Sequence, residues 1–135
     1  MIDIENDVFS YVANAIRTEH QDAYVIGEFV DVPARFPAVT IVEADNRIFE
    51  RMRTTNIENA VRVMYECNVY SNKSSGKKTQ AKEIATTMDE AFTSIGFTRT
   101  FREQVPNLNS ATIYRIVCRY EAIVGDNFMI YHNNY

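Results

Sequence analysis

Tryptophan is absent from this chain of 135 residues, and histidine and cysteine occur twice each, proline three times and glycine four times. So little cysteine excludes a disulfide-stapled scaffold. Cys67 and Cys118 each sit inside an apolar, strand-like run, where a thiol behaves as a small hydrophobe. With so little proline and glycine there is no linker at which to divide the chain, and no internal repeat or low-complexity tract is present. One domain spanning residues 1–135 is expected. No apolar run approaches the length that spans a bilayer, and the acidic start Met1-Ile2-Asp3-Ile4-Glu5-Asn6-Asp7 lacks the apolar centre of a signal peptide. The chain is therefore expected to fold inside a cell, with no membrane partner. Asn72-Lys73-Ser74 fits a glycosylation sequon that has no relevance without secretion. An excess of basic charge is missing too. The net charge of −4 and pI near 5.2 argue against a binder of phosphate backbones, and no specific nucleic-acid partner is expected.

What is present suffices for a core. Hydrophobic residues make up 46% of the chain and charged residues 24%, so no metal or disulfide staple is required. Residues 3 to 19 read as an amphipathic helix with Ile4, Val8, Val12, Ala15 and Ile16 on one side, Asp3 at its start, and Glu5 and Asp7 at the positive end of its dipole. Ala23 to Val30 and Ala38 to Glu43 read as strands joined by an open connection containing Pro33 and Pro37. The clearest strand is Val61 to Tyr70. Val61, Val63, Tyr65, Cys67 and Val69 share one face, while Arg62, Met64, Glu66, Asn68 and Tyr70 share the other. After a polar turn at Ser71–Gly76, Ala81, Ile84, Ala85, Met88, Ala91, Phe92 and Ile95 form the stripe of a second helix. Gly96 supplies its left-handed stop and Phe97 folds back on Phe92.

Phe97 to Gln104 reads as a strand, followed by a turn at Pro106–Ser110 and a long strand from Thr112 to Val124. In that strand Tyr114, Ile116, Cys118, Tyr120, Ala122 and Val124 oppose Arg115, Val117, Arg119, Glu121 and Ile123. Gly125-Asp126-Asn127 signals a hairpin into Phe128 to His132. The order α-β-β-β-α-β-β-β predicts an α+β two-layer sandwich, with a mainly antiparallel sheet and both amphipathic helices on one face. The other face would carry Arg62, Glu66, Arg115, Arg119 and Glu121, whose charges can pair between neighbouring strands.

Few residues suggest chemistry. Gly76-Lys77-Lys78-Thr79 lies between a strand and a helix, but Lys78 intervenes before the hydroxyl residue and Ser71 stands where a phosphate loop needs its first glycine. It reads as a solvated turn. His20 and His132 would have to converge on core-facing thiols to make a nucleophile or a zinc site. Asp89 and Glu90 are adjacent on a helix and diverge, so they make a poor acid–base pair. Of the 8 Tyr and 8 Phe, Tyr65, Tyr114 and Tyr120 fall on the predicted core face and only Tyr70 clearly on the other, which suits packing better than base stacking. No catalytic, cofactor-binding or metal-binding residue is expected, and the chain reads as a non-enzyme. Residues 44 to 59 are the least decided stretch, and within them Arg47, Ile48, Phe49, Arg51, Met52 and Arg53 mix apolar and basic side chains. They are the candidate assembly interface, as an arm, a strand or a plain loop.

Five segments together resemble a known family. Val69-Tyr70-Ser71-Asn72-Lys73, Gly76-Lys77-Lys78 entering an Ala-rich helix, Gly96-Phe97-Thr98-Arg99-Thr100, and Pro106-Asn107-Leu108 with Ala111-Thr112-Ile113-Tyr114-Arg115 are similar to the tail-terminator (tail-completion) proteins of long-tailed phages and prophages, particularly those of Gram-positive hosts. Phe36-Pro37-Ala38-Val39 also resembles that family. The resemblance covers about residues 36 to 124, without residues 44 to 59 or the hairpin after Gly125. It implies a homo-hexameric ring at the head–tail junction of a virion. Such a ring caps the finished tail tube, ends its polymerisation and meets a head–tail connector protein, with no cofactor. A neck or head-completion protein is the alternative from the same apparatus. A small nucleic-acid-binding module and an unrecognised enzyme are the alternatives from other classes.

Overall fold

The computed structural model describes residues 1–48, 60–106, 110–127 and 130–131. The elements in order are α1 (Glu5–Glu19), β1 (Tyr24–Ile26), β2 (Ala38–Ile48), β3 (Ala60–Ser71), α2 (Lys77–Ser94), β4 (Thr98–Gln104), β5 (Tyr114–Gly125) and β6 (Ile130–Tyr131). Among the described residues the sheet has six strands in the order β1-β2-β3-β5-β4, with β6 also beside β5. Every pairing is antiparallel except β1 with β2. The fold is the expected α+β sandwich. No described helix is long and apolar enough to cross a membrane.

Period-two alternation explains the inner face. Val61, Val63, Tyr65, Cys67 and Val69 of β3 are all at most 1% exposed. They share one apolar cluster with Cys118, Tyr120, Ala122 and Val124 of β5, with Val8, Val12, Ala13 and Ile16 of α1, and with Ala81, Ile84, Met88 and Phe92 of α2. Both helices therefore cover the same face, and each fully buried aliphatic there contributes about 1.5–3 kcal/mol by leaving water. At its centre Phe92 stacks on Tyr120 at 4.2 Å and 9°, and lies edge-on to Phe97 at 5.3 Å.

Phe97 reaches that position because of the end of α2. Gly96 takes a φ of 96°. The Phe97 N–H donates to the Phe92 carbonyl at 3.0 Å and the Gly96 N–H to the Thr93 carbonyl at 3.1 Å. This is the Schellman pairing, with its apolar contact between the residue after the glycine and the last helical turn. At the start of α1, Asp3 Oδ1 accepts the Glu5 N–H at 3.0 Å, satisfying one orphan donor.

Two expectations about the strands need correction. The first strand is Tyr24–Ile26 alone, parallel to β2. The segment after it leaves the ladder and crosses the sheet face opposite the helices, where the Val30 carbonyl accepts the Tyr70 hydroxyl at 2.7 Å. That segment covers part of the face, whose charged side chains Arg62, Glu66, Arg119 and Glu121 stay partly exposed. Ala38, Tyr70 and Ile113 form a second small core there, with Tyr24 and Phe36 against it, and Asn68, Val117 and Ile123 are also buried. Finally, β2 runs on to Ile48 through a bulge between Glu43 and Asp45. The extra residue switches the alternation, so Ile41 and Ile48 face the same side although their numbers differ in parity.

At Gly96 an added Cβ would meet Ile130 Cγ2 at 2.9 Å in addition to the positive φ, whereas at Gly76, with φ 85°, it would meet nothing within 4 Å. Gly96→Ala is expected to cost about 1–3 kcal/mol of stability and Gly76→Ala clearly less. Urea denaturation of the two variants checks this; equal costs would remove the role given to the β6 contact.

Candidate assembly surface

The nominated interface divides at residue 48. Arg47 and Ile48 belong to the end of β2, while Phe49, Arg51, Met52 and Arg53 lie outside the described residues. Arg47 stands opposite Arg62 in the register. Like charges so placed repel, and each finds an acid instead: Arg47 pairs with Asp45 on its own strand, and Arg62 with Glu121 at 3.9 Å. Ile48 is 40% exposed, although Val61 opposite it is buried.

The other sites weighed from the sequence are tied into the body. The turn before α2 is held by Lys77 Nζ donating to the Thr112 carbonyl at 3.2 Å and by Ser71 Oγ donating to Gln80 Oε1 at 2.6 Å. His20 Nε2 hydrogen-bonds Thr87 Oγ1 at 3.0 Å and not a thiol; His132 lies outside the described residues. Cys67 and Cys118 are free, buried and opposite each other across β3 and β5. Burial pushes the Cys67 thiol well up, and the neighbouring Cys118 adds to it. Burial raises Cys118 as well. A thiol so held is a poor nucleophile. Asp89 Oδ1 accepts both the Tyr120 hydroxyl at 3.0 Å and Arg99 Nη1 at 3.1 Å, fastening β4 and β5 to α2.

Outside the helix layer, three arginines cross the sheet. Arg119 Nε donates to Glu66 Oε2 at 3.2 Å, directly opposite it, while its guanidinium lies 4.8 Å over the Phe101 ring. Arg115 Nε donates to Asn68 Oδ1 at 2.8 Å and covers both Phe29 and Tyr70. The pairing of Arg62 and Arg119 with acids follows the expectation; Arg115 takes an amide and two rings instead. Phe29, about half exposed under Arg115, is a large apolar side chain of this side without a sequence signal, and Val32 close by in the chain is equally exposed.

At one corner of the sheet, oxygens of Asp3, Glu5 and Glu43 lie within 4.8 Å of one another. Such a set has the hard oxygen ligands a divalent cation prefers. It also has protein donors of its own: Glu5 Oε2 accepts the Glu43 N–H at 3.0 Å and Glu43 Oε1 accepts the Tyr65 hydroxyl at 3.2 Å. Burial raises the Glu43 carboxyl above its ordinary range; Glu5 and Asp3 push the same way, against the hydrogen bonds from Tyr65 and Asn46. No protein-family model matches the chain, and no curated protein matches it either.

A carboxyl raised on folding holds its proton more tightly in the native state. Its stabilising contribution is full below the unfolded value of about 4.3 and is lost as pH rises through the folded value. Glu43→Gln, which never ionises, is thus expected to melt above the wild type at pH 7, the difference closing as pH falls towards 4. A difference that does not depend on pH would show that Glu43 is not the titrating group. Replacing Cys67 and Cys118 together with Ala is expected to cost about 1–3 kcal/mol through lost packing, with oligomeric state unchanged. Paired denaturation and sedimentation measurements test both halves.

Proposed function

We propose that this chain is a non-catalytic, ring-forming subunit of a phage tail, a tail terminator that caps the tube and presents a surface to the head connector. The observation that carries this reading is the ordered set of segments between residues 36 and 124 that resembles that family. The fold gives three of them a shared place. Ser71 pairs with Tyr114, and Lys77 donates to the Thr112 carbonyl, so the end of β3, the start of α2 and the start of β5 adjoin.

A second line of support is the difference between the two edges of the sheet. A closed cyclic ring needs a heterologous interface, with two unlike patches on each protomer. Here one edge is a short parallel strand beside a bulged one, and the other is an exposed antiparallel strand. The outer arginine ladder and the half-exposed Phe29 and Val32 are further surface for the tube or the connector.

Purified protein is expected to pass from monomer to closed ring as concentration rises, with hexamers as the family resemblance implies. Negative-stain electron microscopy should show rings with a central hole, and sedimentation velocity should show a single larger species. A chain that stays monomeric at high concentration, and still does so when tail tubes are added, overturns the reading.

A further inference from the structure

The two ends of the sheet are finished differently. At the β1–β2 end, side chains engage the backbone: Arg17 Nη2 donates to the Val25 carbonyl at 3.3 Å, and Glu5 accepts the Glu43 N–H. At the other end β4 bonds only to β5, and Thr98, Arg99, Thr100, Arg102, Glu103 and Gln104 are exposed. Among the described residues nothing pairs with its outer edge. A strand left this way offers a row of backbone N–H donors and C=O acceptors.

Charge is distributed in the same sense. Lys78 and Lys82 of α2 and Arg102 of β4 line one cleft beside the open strand, with Glu103 as its one acid. Arg99, on the same strand, is paired with Asp89. The opposite corner carries the carboxylates of Asp3, Glu5 and Glu43 on the helix side of β2, while Asp45, opposite Met64 after the bulge, lies on the outer face and pairs with Arg47. These surfaces belong to opposite ends of the strand order, so one copy's acidic corner is far in the sheet from its own basic edge. Carboxylates fit the ammonium and guanidinium groups that flank this edge, through charge-assisted hydrogen bonds, with the exposed N–H groups as further donors.

We propose that the open edge of β4, flanked by Lys78, Lys82 and Arg102, docks the acidic corner of a second copy through Asp3 and Glu5. This rests on the ring reading and names its two unlike patches. Strand directions are compatible with it. From β2 through β3 and β5 to β4 each neighbour is antiparallel, so β2 and β4 run oppositely. A second copy continuing the sheet in the same sense brings its β2 antiparallel to β4, the geometry suited to close approach. Because the bulge at Ala44 and the Glu5 cap interrupt the edge of β2, the contact is made by side chains and not by a continuous ladder.

Two charge-reversed variants test it: Lys82→Glu with Arg102→Glu, and Asp3→Lys with Glu5→Lys. Each alone should keep a cooperative melt and raise the concentration for half-assembly by about tenfold or more. Mixed in equal amounts they should reassemble, because alternating copies restore every contact. Should either variant not fold, Lys82→Gln with Arg102→Gln and Asp3→Asn with Glu5→Gln replace the pair, and each should still weaken assembly. Rings that form undiminished from a variant alone, or a folded mixture that stays apart, overturn this contact while leaving the ring reading standing. Wild-type protein that never assembles overturns both.

Discussion

The structure depends on the register between β3 and β5. Every residue of β3, from Ala60 to Ser71, has a partner on β5, from Gly125 back to Tyr114. This ladder sets Tyr65 opposite Tyr120 and Cys67 opposite Cys118 on the inner face, and Glu66 opposite Arg119 on the outer one. A slip by one residue would expose the whole inner row and bury the charged one, so the pairing is strongly specified. Both helices then cover the inner apolar surface, while Tyr24 and Phe36 pack against the smaller cluster on the other face. The aromatic group of Tyr65, Phe92, Phe97 and Tyr120 locks α2 onto it, and Asp89 ties the same helix to Tyr120 and Arg99 by hydrogen bonds.

That dependence explains which parts were readable in the sequence. β3 and β5 are long, alternate strictly and lie centrally, so residue type alone reports their faces. The end of α2 was equally readable, since a glycine after an apolar stripe and a Phe after the glycine have one common solution. β2 beyond Glu43 was not, because the bulge at Ala44 breaks the alternation by which a strand is recognised. β1 was over-read for the opposite reason. Its composition is strand-like throughout, but Phe29 and Val30 serve the crossing segment, and only three residues stay in the sheet. Propensity reports a fit to a pleated surface and does not say which strands will find a partner.

The candidate assembly residues fared unevenly for a related reason. Arg47 and Ile48 were chosen because apolar and basic residues alternate there, and that alternation proves to be a strand's, with Arg47 outward and Ile48 on the side of Val61. Arg99 and Arg102 were not chosen, because a short strand with charges on both faces looks unremarkable in sequence. Only the strand order shows that it is terminal. The outer-face arginines were readable as a group, since Arg62, Arg115 and Arg119 alternate with the core residues of their strands. Their partners were less so, as Arg115 turns to Asn68 and the rings of Phe29 and Tyr70.

An open terminal strand is ordinarily a hazard, because any extended chain can add to it. β4 carries two devices that limit such additions: a bulge between Arg99 and Phe101, and charges along its length. Both oppose an arbitrary apolar strand more than a carboxylate-rich one, since the basic side chains that repel a like-charged partner attract an acidic one. The far end of the sheet carries the carboxylates of Asp3, Glu5 and Glu43, and Arg17 and Glu5 each engage one backbone group there, which makes it a less regular template for a second ladder. In the proposed contact, one edge open and basic and the other carrying an acidic cluster would give each copy two unlike surfaces. That asymmetry favours head-to-tail addition over face-to-face pairing. Addition of that kind closes into a ring when the turn per copy divides a full rotation, and otherwise grows as a filament. The outcome therefore turns on the angle between the two surfaces, which the shared register of β3 and β5 holds fixed.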